Sequence, residues 1–306
     1  MARRGQREAV PIEVRDDDQV EPANDAIEEQ PRRLHGSFRL GDDPVFPESL
    51  STFNLRPSID ELPEEQPLTV EINGRPVATL LCSPTGAREL VLGWAFAQGY
   101  FDDLAQVQRL TPYNDRIVLM VDRPGCGGAS WREVLTSGFD ASTVRTPRSA
   151  IGSDPSESGD GDADDNGPRF DRTRFLATME RVFARFRTEC GADGVHHAAV
   201  TDGEHLCAVS RDVCRHNAVD KVVGWTLSQR LDRTRLILCL SGRVSADLAY
   251  KASRAGVPIV VSRSLPTCEA VELAHAARIT LVGRVLEPQR AIYAHPWRLT
   301  TGDEES

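Results

Sequence analysis

The chain has 306 residues, of which 40% are hydrophobic and 27% are charged, a composition typical of a soluble globular protein. Its net charge of −10 arises in polar segments, because acids outnumber arginines in residues 1–35, 154–165 and 303–305. The rest of the chain is close to neutral, which argues against a broad nucleic-acid-binding surface. No secretory apolar core follows MARRGQREAV, and no apolar run reaches the roughly 20 residues of a membrane span. These features predict a cytoplasmic protein with no nucleic-acid and no membrane partner.

Cysteine and lysine usage narrow the chemistry further. The seven cysteines are scattered, with no CxxC pair, which indicates a reducing compartment rather than a disulfide framework. Nearly all basic residues are arginine, and Lys221 and Lys251 are the two exceptions among 36. A lysine carries a compact ammonium, so these positions are candidates for a role that a guanidinium cannot fill. The alternative is that they are the remainder of a skewed composition.

The N-terminal half predicts a β-rich domain at residues 48–152, after a disordered acidic tail at 1–47. LTVEINGRPVATLLC indicates a hairpin that turns at Asn73–Gly74. ARELVLGWAFAQGYF has helical spacing and ends near Gly99, and QVQRLTPYNDRIVLMV predicts two further strands. This domain would end in the glycine-rich turn RPGCGGAS, which contains Cys126.

The C-terminal half predicts an α/β domain at residues 169–300, between a flexible acidic linker at 153–168 and a tail at 301–306. TRFLATMERVFARF is an amphipathic helix, and VHHAAVTDG with EHLCAVSRDV predicts a strand pair. From residue 217 onward, helices alternate with the strands RLILCLSG, VPIVVSRS and ITLVG. This alternation predicts right-handed βαβ units and a parallel sheet, so the fold class is α/β (α+β overall).

Two strand ends in the α/β half carry the residues of an anion site. SGRVS supplies the hydroxyl of Ser241, the bare backbone of Gly242 and the cation of Arg243, and SRSLPT supplies Arg263. Ligands bind at the carboxyl ends of parallel strands, where helix N-termini present free N–H groups. The alternative is that the serines only cap helices.

DVCRHNAVDKVVG is the densest polar cluster. We predict a helix that starts at Asn217. His216 and Asp220 are four residues apart, so they would face each other. Asn217, Lys221 and Gly224 would share one stripe of the helix, opposite a buried valine face. This spacing predicts a ligand site on the polar stripe. The alternative is a capped helix with a surface ion pair.

The cysteines allow two kinds of site. Cys126 is the candidate nucleophile, because the surrounding glycines leave the thiol open and a nearby helix start would favour the thiolate. His205–x–Cys207 and Cys214–x–His216 also place four potential zinc ligands within twelve residues. Single His and Cys residues in strands are more often core residues, so the metal site ranks below the nucleophile.

Taken together, the segments resemble the formate dehydrogenase accessory sulfurtransferases, the FdhD family. The similarity runs from about residue 50 to 300, and DVCRHNAVDKVVG with SGRVS is its most specific part. The resemblance implies a cytidine-deaminase-like C-terminal domain without the zinc site, and a homodimer. It also implies that a cysteine desulfurase donates persulfide sulfur to the protein. The protein would pass that sulfur to the molybdenum bis(molybdopterin guanine dinucleotide) cofactor of formate dehydrogenase.

The resemblance also assigns residues. Cys126 matches the cysteine that carries the persulfide. The cofactor-binding stretch falls on six consecutive positions near the C-terminus: Val285, Leu286, Glu287, Pro288, Gln289 and Arg290. Ala129 stands where many members have a second loop cysteine, and Cys214 stands where the family usually has glycine. With one loop thiol, a competing hypothesis is a cofactor chaperone that moves no sulfur.

Overall fold

The computed structural model describes residues 62–122, 167–188 and 194–300. Cys126, nearly all of the acidic linker and both tails lie outside the described residues, so the predictions made for them stay predictions, as do the domain boundaries. Within the described ranges, no helix combines the length and the apolar character needed to cross a membrane.

The first sheet is built from two hairpins. Its strands are β1 (Gln66–Ile72), β2 (Arg75–Cys82), β3 (Val107–Pro112) and β4 (Arg116–Val121), in the order β2-β1-β4-β3. Asn73 and Gly74 form the first turn at φ 51° and 75°, the left-handed conformation that this dipeptide tolerates. Both predicted hairpins are therefore confirmed, and the central β1–β4 pair is parallel.

The second sheet has six strands, in the order β11-β10-β9-β8-β6-β7. These are β6 (His196–Thr201), β7 (Leu206–Asp212), β8 (Ile237–Leu240), β9 (Ile259–Ser262), β10 (Thr280–Gly283) and β11 (Ala291–Ala294). β8, β9 and β10 run parallel as predicted, whereas β6, β7 and β11 are antiparallel to their neighbours. A short pair of β5 (Phe170–Asp171) and β12 (Leu299–Thr300) lies apart from both sheets.

Helices cover both faces of the six-stranded sheet. α2 (Arg172–Thr188) packs on the face formed by residues such as Ile237 and Val261, while Leu238 and Val260 face the opposite way. That opposite face carries α3 (Arg215–Ser228), α4 (Ala246–Ala255) and α5 (Cys268–Ala276). The central strands are buried on both faces, as expected for parallel strands between helical layers. The mixed α/β class is thus confirmed, and the cytidine-deaminase-like label stays a prediction.

Two glycines allow α3 to cross α1 (Ala87–Ala97) at very short range. A Cβ on Gly93 would lie 1.9 Å from the carbonyl oxygen of Asp220, and one on Gly224 would lie 1.9 Å from that of Glu89. The backbones are therefore in contact at this crossing. Since α3 also packs against β6, β7 and α4, it is enclosed from several sides.

Candidate functional site

The carboxyl ends of β8 and β9 lie side by side and present two cations. Leu240 pairs with Ser262 in the ladder, and the loops that follow place Arg243 and Arg263 in exposed positions. The Ser262 hydroxyl donates a 2.7 Å hydrogen bond to the Gly242 carbonyl, which ties the two loops together. No acidic side chain of the described ranges lies within salt-bridge distance of either guanidinium. The predicted juxtaposition of SGRVS and SRSLPT is thus present in the structure.

The antiparallel strand β6 brings two histidines to the same edge. The backbone N–H of His197 donates to the Ser241 hydroxyl at 2.9 Å, and the Ser241 N–H donates to the His197 carbonyl at 3.0 Å. A Cβ on Gly242 would lie 3.2 Å from Nδ1 of His196, so the glycine permits this close approach. Our sequence reasoning missed both histidines. Two adjacent polar rings in the otherwise apolar VHHAAV were the available signal.

The electrostatics of this edge favour an anion. Burial, followed by the positive charge of Arg215, lowers the pKa of His196. Burial lowers the pKa of His197 as well, with further contributions from His196, Arg211 and Arg263. Both imidazoles are therefore neutral at neutral pH, and the positive charge of the edge resides on arginines. A phosphate-bearing ligand is the chemistry that such an edge suits.

The segment that the family resemblance assigns to cofactor binding borders this edge. The Val285 N–H donates to the Ser262 carbonyl at 3.1 Å, which fixes the segment beside the β9 end. Glu287, Pro288, Gln289 and Arg290 are exposed, and Leu286 is half-buried. Val285 is 1% exposed and packs in the hydrophobic core. Its side chain therefore stabilises the fold, which leaves only the backbone for a ligand contact, and the assigned role of Val285 stays a prediction.

Lys221 and Asn217 require correction, because both are buried and fully engaged. The Lys221 ammonium lies 2.6 Å from the Asp212 carboxylate and donates to the carbonyls of Ser83 and Arg211. The Asn217 amide donates to the Leu81 carbonyl at 2.7 Å and to Asp212 at 3.1 Å. These groups fasten α3 to the first sheet, and we do not assign them to phosphate binding.

The predicted pairing of His216 with Asp220 is wrong, because each finds a partner on α4 instead. Asp220 is 1% exposed, and both of its carboxylate oxygens accept 2.7 Å hydrogen bonds from the Lys251 ammonium. His216 Nε2 lies 3.3 Å from the Asp247 carboxylate. Asp220 is therefore part of the interior, while His216 stays near the surface with a different acid. The i, i+4 spacing gave the correct helix face but could not reveal a competing partner on another helix.

The four potential zinc ligands do not come together. His205 and Cys207 lie at the start of β7, whereas Cys214 and His216 follow its end. A strand of seven residues spans roughly 20 Å, so the two pairs sit at opposite ends. Within the ranges that the structure covers, no group of three metal-binding side chains is found. The zinc hypothesis therefore has no geometric basis here.

Comparisons with known proteins agree with the resemblance found in the sequence. Residues 63–300 match the FdhD/NarQ family. The sulfur carrier protein FdhD of Staphylococcus haemolyticus (strain JCSC1435) is 31% identical over 256 residues, covering 78% of this chain and 90% of that protein. Its counterpart in Staphylococcus aureus (strain JH9) is 30% identical over 279 residues, covering 89% and 100%.

A solved structure shares the fold. The crystal structure of a formate dehydrogenase accessory protein from Desulfotalea psychrophila aligns with a TM-score of 0.61 at 21% identity, covering 78% of this chain and 90% of that one. At this identity the structural match supports the fold alone. The family match, by contrast, spans well over half of the sequence and contains the whole basic edge. This chain therefore belongs to the FdhD/NarQ family.

Proposed function

We propose that this chain is a sulfur carrier that serves the maturation of formate dehydrogenase. Its relatives are named sulfur carrier proteins, and the related structure is that of a formate dehydrogenase accessory protein. The observation that carries the proposal is the pair of exposed arginines, Arg243 and Arg263, at adjacent strand ends. Such a pair suits the diphosphate groups of a guanine-dinucleotide cofactor.

The sulfur would travel on Cys126, which lies outside the described residues. In this proposal, a cysteine desulfurase donates its outer persulfide sulfur to the Cys126 thiol and is left with a free thiol. The Cys126 persulfide then gives that sulfur to the molybdenum bis(molybdopterin guanine dinucleotide) cofactor, which is the substrate. The protein thus acts as a sulfurtransferase with a cysteine persulfide intermediate.

The basic edge would hold the cofactor while the sulfur is passed on. Arg243 and Arg263 bind its phosphates, and Arg290 extends the same positive surface along the neighbouring segment. The Arg290 guanidinium donates to the Glu287 carbonyl at 3.0 Å, which shapes the turn while leaving the side chain exposed. Ser241 and Gly242 would support Arg243 from the β8 end, because their hydrogen bonds fix this loop to β6 and β9.

Intact mass spectrometry tests the sulfur step. The full chain is incubated with a cysteine desulfurase and cysteine, and the mass is compared with that of Cys126→Ala and Cys268→Ala. Cys268 is the matched control, because it is an exposed thiol at the start of α5. We expect the wild type and Cys268→Ala to gain sulfur that a reductant removes, and Cys126→Ala to gain less. Equal uptake by all three proteins would overturn the role of Cys126.

Equilibrium binding of guanosine diphosphate tests the edge. Replacing Arg243 or Arg263 with Ala should weaken binding about tenfold each, because a charge-assisted hydrogen bond contributes about 1.5–3 kcal/mol. Arg75→Ala is the control, since Arg75 is exposed in the hairpin turn away from this edge. Equal affinity of all variants would show that the edge is not the nucleotide site.

A cofactor chaperone without sulfur transfer is the second candidate, favoured by the presence of Ala129 where many relatives have a cysteine. It predicts that Cys126→Ala still supports formate dehydrogenase activity in a strain that lacks the native gene. The sulfur-carrier proposal predicts that this variant does not support that activity.

A further inference from the structure

Three side chains from two helices form a connected line beside the basic edge. Cys214 is the N-cap residue of α3, and its Sγ lies 3.7 Å from Nδ1 of His216 in the first turn. On the other side of the ring, Nε2 lies 3.3 Å from the Asp247 carboxylate in the first turn of α4. A thiol, an imidazole and a carboxylate in this order have the arrangement of an activated nucleophile.

At neutral pH the thiol and the imidazole of this line are both neutral. Burial lowers the pKa of His216 to about 4, an effect that the nearby Asp247 carboxylate only partly opposes. The ring is therefore neutral at neutral pH, and a proton on Nε2 facing Asp247 leaves the Nδ1 lone pair towards the thiol. Burial also raises the pKa of Cys214, so its thiol needs a base in order to react. By its position His216 Nδ1 is the acceptor for that proton, and because its pKa is lowered while that of the thiol is raised, the transfer is unfavourable and has to be coupled to the attack on sulfur.

The surroundings of this line offer hydrogen-bonding capacity to an incoming group. The Ser245 hydroxyl, two residues before Asp247, is buried and has no hydrogen-bond partner among the described residues. The same holds for Nε of Arg215, between Cys214 and His216. Unpaired buried polar atoms are uncommon in folded proteins, and here one belongs to the residue after Cys214 and the other to the N-cap residue of α4, two residues before Asp247.

We propose that Cys214 is a second sulfur-accepting thiol of this chain, which His216 deprotonates and Asp247 orients. His216 takes the thiol proton, and the Cys214 thiolate attacks the outer sulfur of a persulfide R–S–SH. The S–S bond breaks, its electron pair stays on the R–S⁻ leaving group, and His216 returns the proton to give R–SH. The products are a Cys214 persulfide and a thiol, with no net oxidation. This inference and the proposed function have one assumption in common, which is that a persulfide donates the sulfur.

The test separates this site from Cys126 by using the full chain in a Cys126→Ala background. The protein is treated with cysteine persulfide, alkylated and digested, and the sulfur adduct is located by peptide mass. We expect an adduct on Cys214 in excess of that on Cys268, although Cys268 is the more exposed thiol. Cys214→Ser should abolish it without loss of fold, because serine is a favoured N-cap residue.

Rate measurements then test the role of the base. His216→Gln should slow adduct formation on Cys214 by about 100-fold, the lower end of general-base effects, and leave the rate at Cys268 unchanged. Asp247→Asn provides a second variant, because Asp247 is 39% exposed and its replacement leaves the core intact. It should slow the reaction by a smaller factor than His216→Gln.

The outcomes distinguish the two proposals. An adduct on Cys126 of the wild type with none on Cys214 in either background overturns the inference and leaves the proposed function in place. An adduct on Cys214 with none on Cys126 supports the inference and overturns the proposed role of Cys126. Equal rates of adduct formation on Cys214 with and without His216→Gln would also refute the inference, because the reactivity of Cys214 would then not depend on the imidazole.

Discussion

The buried contact between Lys251 and Asp220 should be one of the most sensitive points of the fold. The side chains of Lys251 on α4 and Asp220 on α3 are 5% and 2% exposed, and both carboxylate oxygens accept hydrogen bonds of 2.7 Å from the ammonium. Burial opposes the charge on Lys251, but the charge and hydrogen bonds of Asp220, together with the charge of Asp247, outweigh it and raise the pKa of the ammonium. Burial raises the pKa of Asp220 to about 6, which is still below neutral pH, so the pair is charged there, and it joins the two helices that carry His216 and Asp247.

The size of the effect follows from this burial. Lys251→Met keeps the length of the side chain but leaves the Asp220 carboxylate without its partner, at an expected loss of about 3–5 kcal/mol of unfolding free energy. Lys251→Arg keeps the charge but forces a larger, planar group into a packed interior, at about 1–3 kcal/mol. The double variant Lys251→Met with Asp220→Leu should recover most of the loss, because no buried charge remains.

Urea unfolding at pH 7, followed by far-UV circular dichroism, measures these differences. Arg116→Met is the matched control, because it breaks a pair with Glu71 in which Arg116 is 45% exposed, at an expected loss of less than about 1 kcal/mol. If Lys251→Met costs no more than Arg116→Met, the reasoning from burial is refuted. A double variant that is less stable than Lys251→Met would refute the argument that the unpaired carboxylate is the source of the loss.

Three further predictions rest on other contacts. Gly224→Ala should lose about 1–3 kcal/mol of stability in the same assay, because the added Cβ meets the α1 backbone, whereas Ser228→Ala at the exposed end of α3 should change it by less than about 0.5 kcal/mol. The stability contributed by His216 should fall as the pH decreases from 6.5 towards 4, because the unfolded chain protonates this ring and the folded one does not; Asp220, whose pKa burial raises to about 6, acts in the opposite direction, so the effect is measured as the difference between wild type and His216→Gln, and a difference that does not change with pH would contradict this. Thr267→Ala should cost about 1 kcal/mol, since its hydroxyl accepts the Ala270 N–H at the start of α5, and an unchanged urea midpoint would show that the cap is dispensable.

The local structure could largely be predicted from sequence. Asn73–Gly74 defines a two-residue turn because few dipeptides adopt its conformation, and the apolar periodicity identified the described helices and most of the described strands, but not β5, β11 or β12. The start of α3 was misplaced, because the helix begins at Arg215 with Cys214 as its N-cap rather than at Asn217. The strand alternation gave the parallel core of the second sheet but not the antiparallel strands at its edges. Those edges depend on which strands meet in space.

The sequence by itself determined that Arg243 and Arg263 would lie at the same edge of the sheet, because the carboxyl ends of successive parallel strands share one edge. Only the tertiary structure decided which polar residues of DVCRHNAVDKVVG face outward. Helical spacing assigns a residue to a face of the helix, but how far that face is buried depends on what packs against it. In this structure α3 is enclosed by α1, α4 and the second sheet. The partner of Asp220 lies 31 residues further along the chain, so a local pattern could not show that the polar stripe is mostly interior. The same physics explains the two lysines. Both are compact ammonium groups paired with buried aspartates, in a protein whose other cations are all arginine.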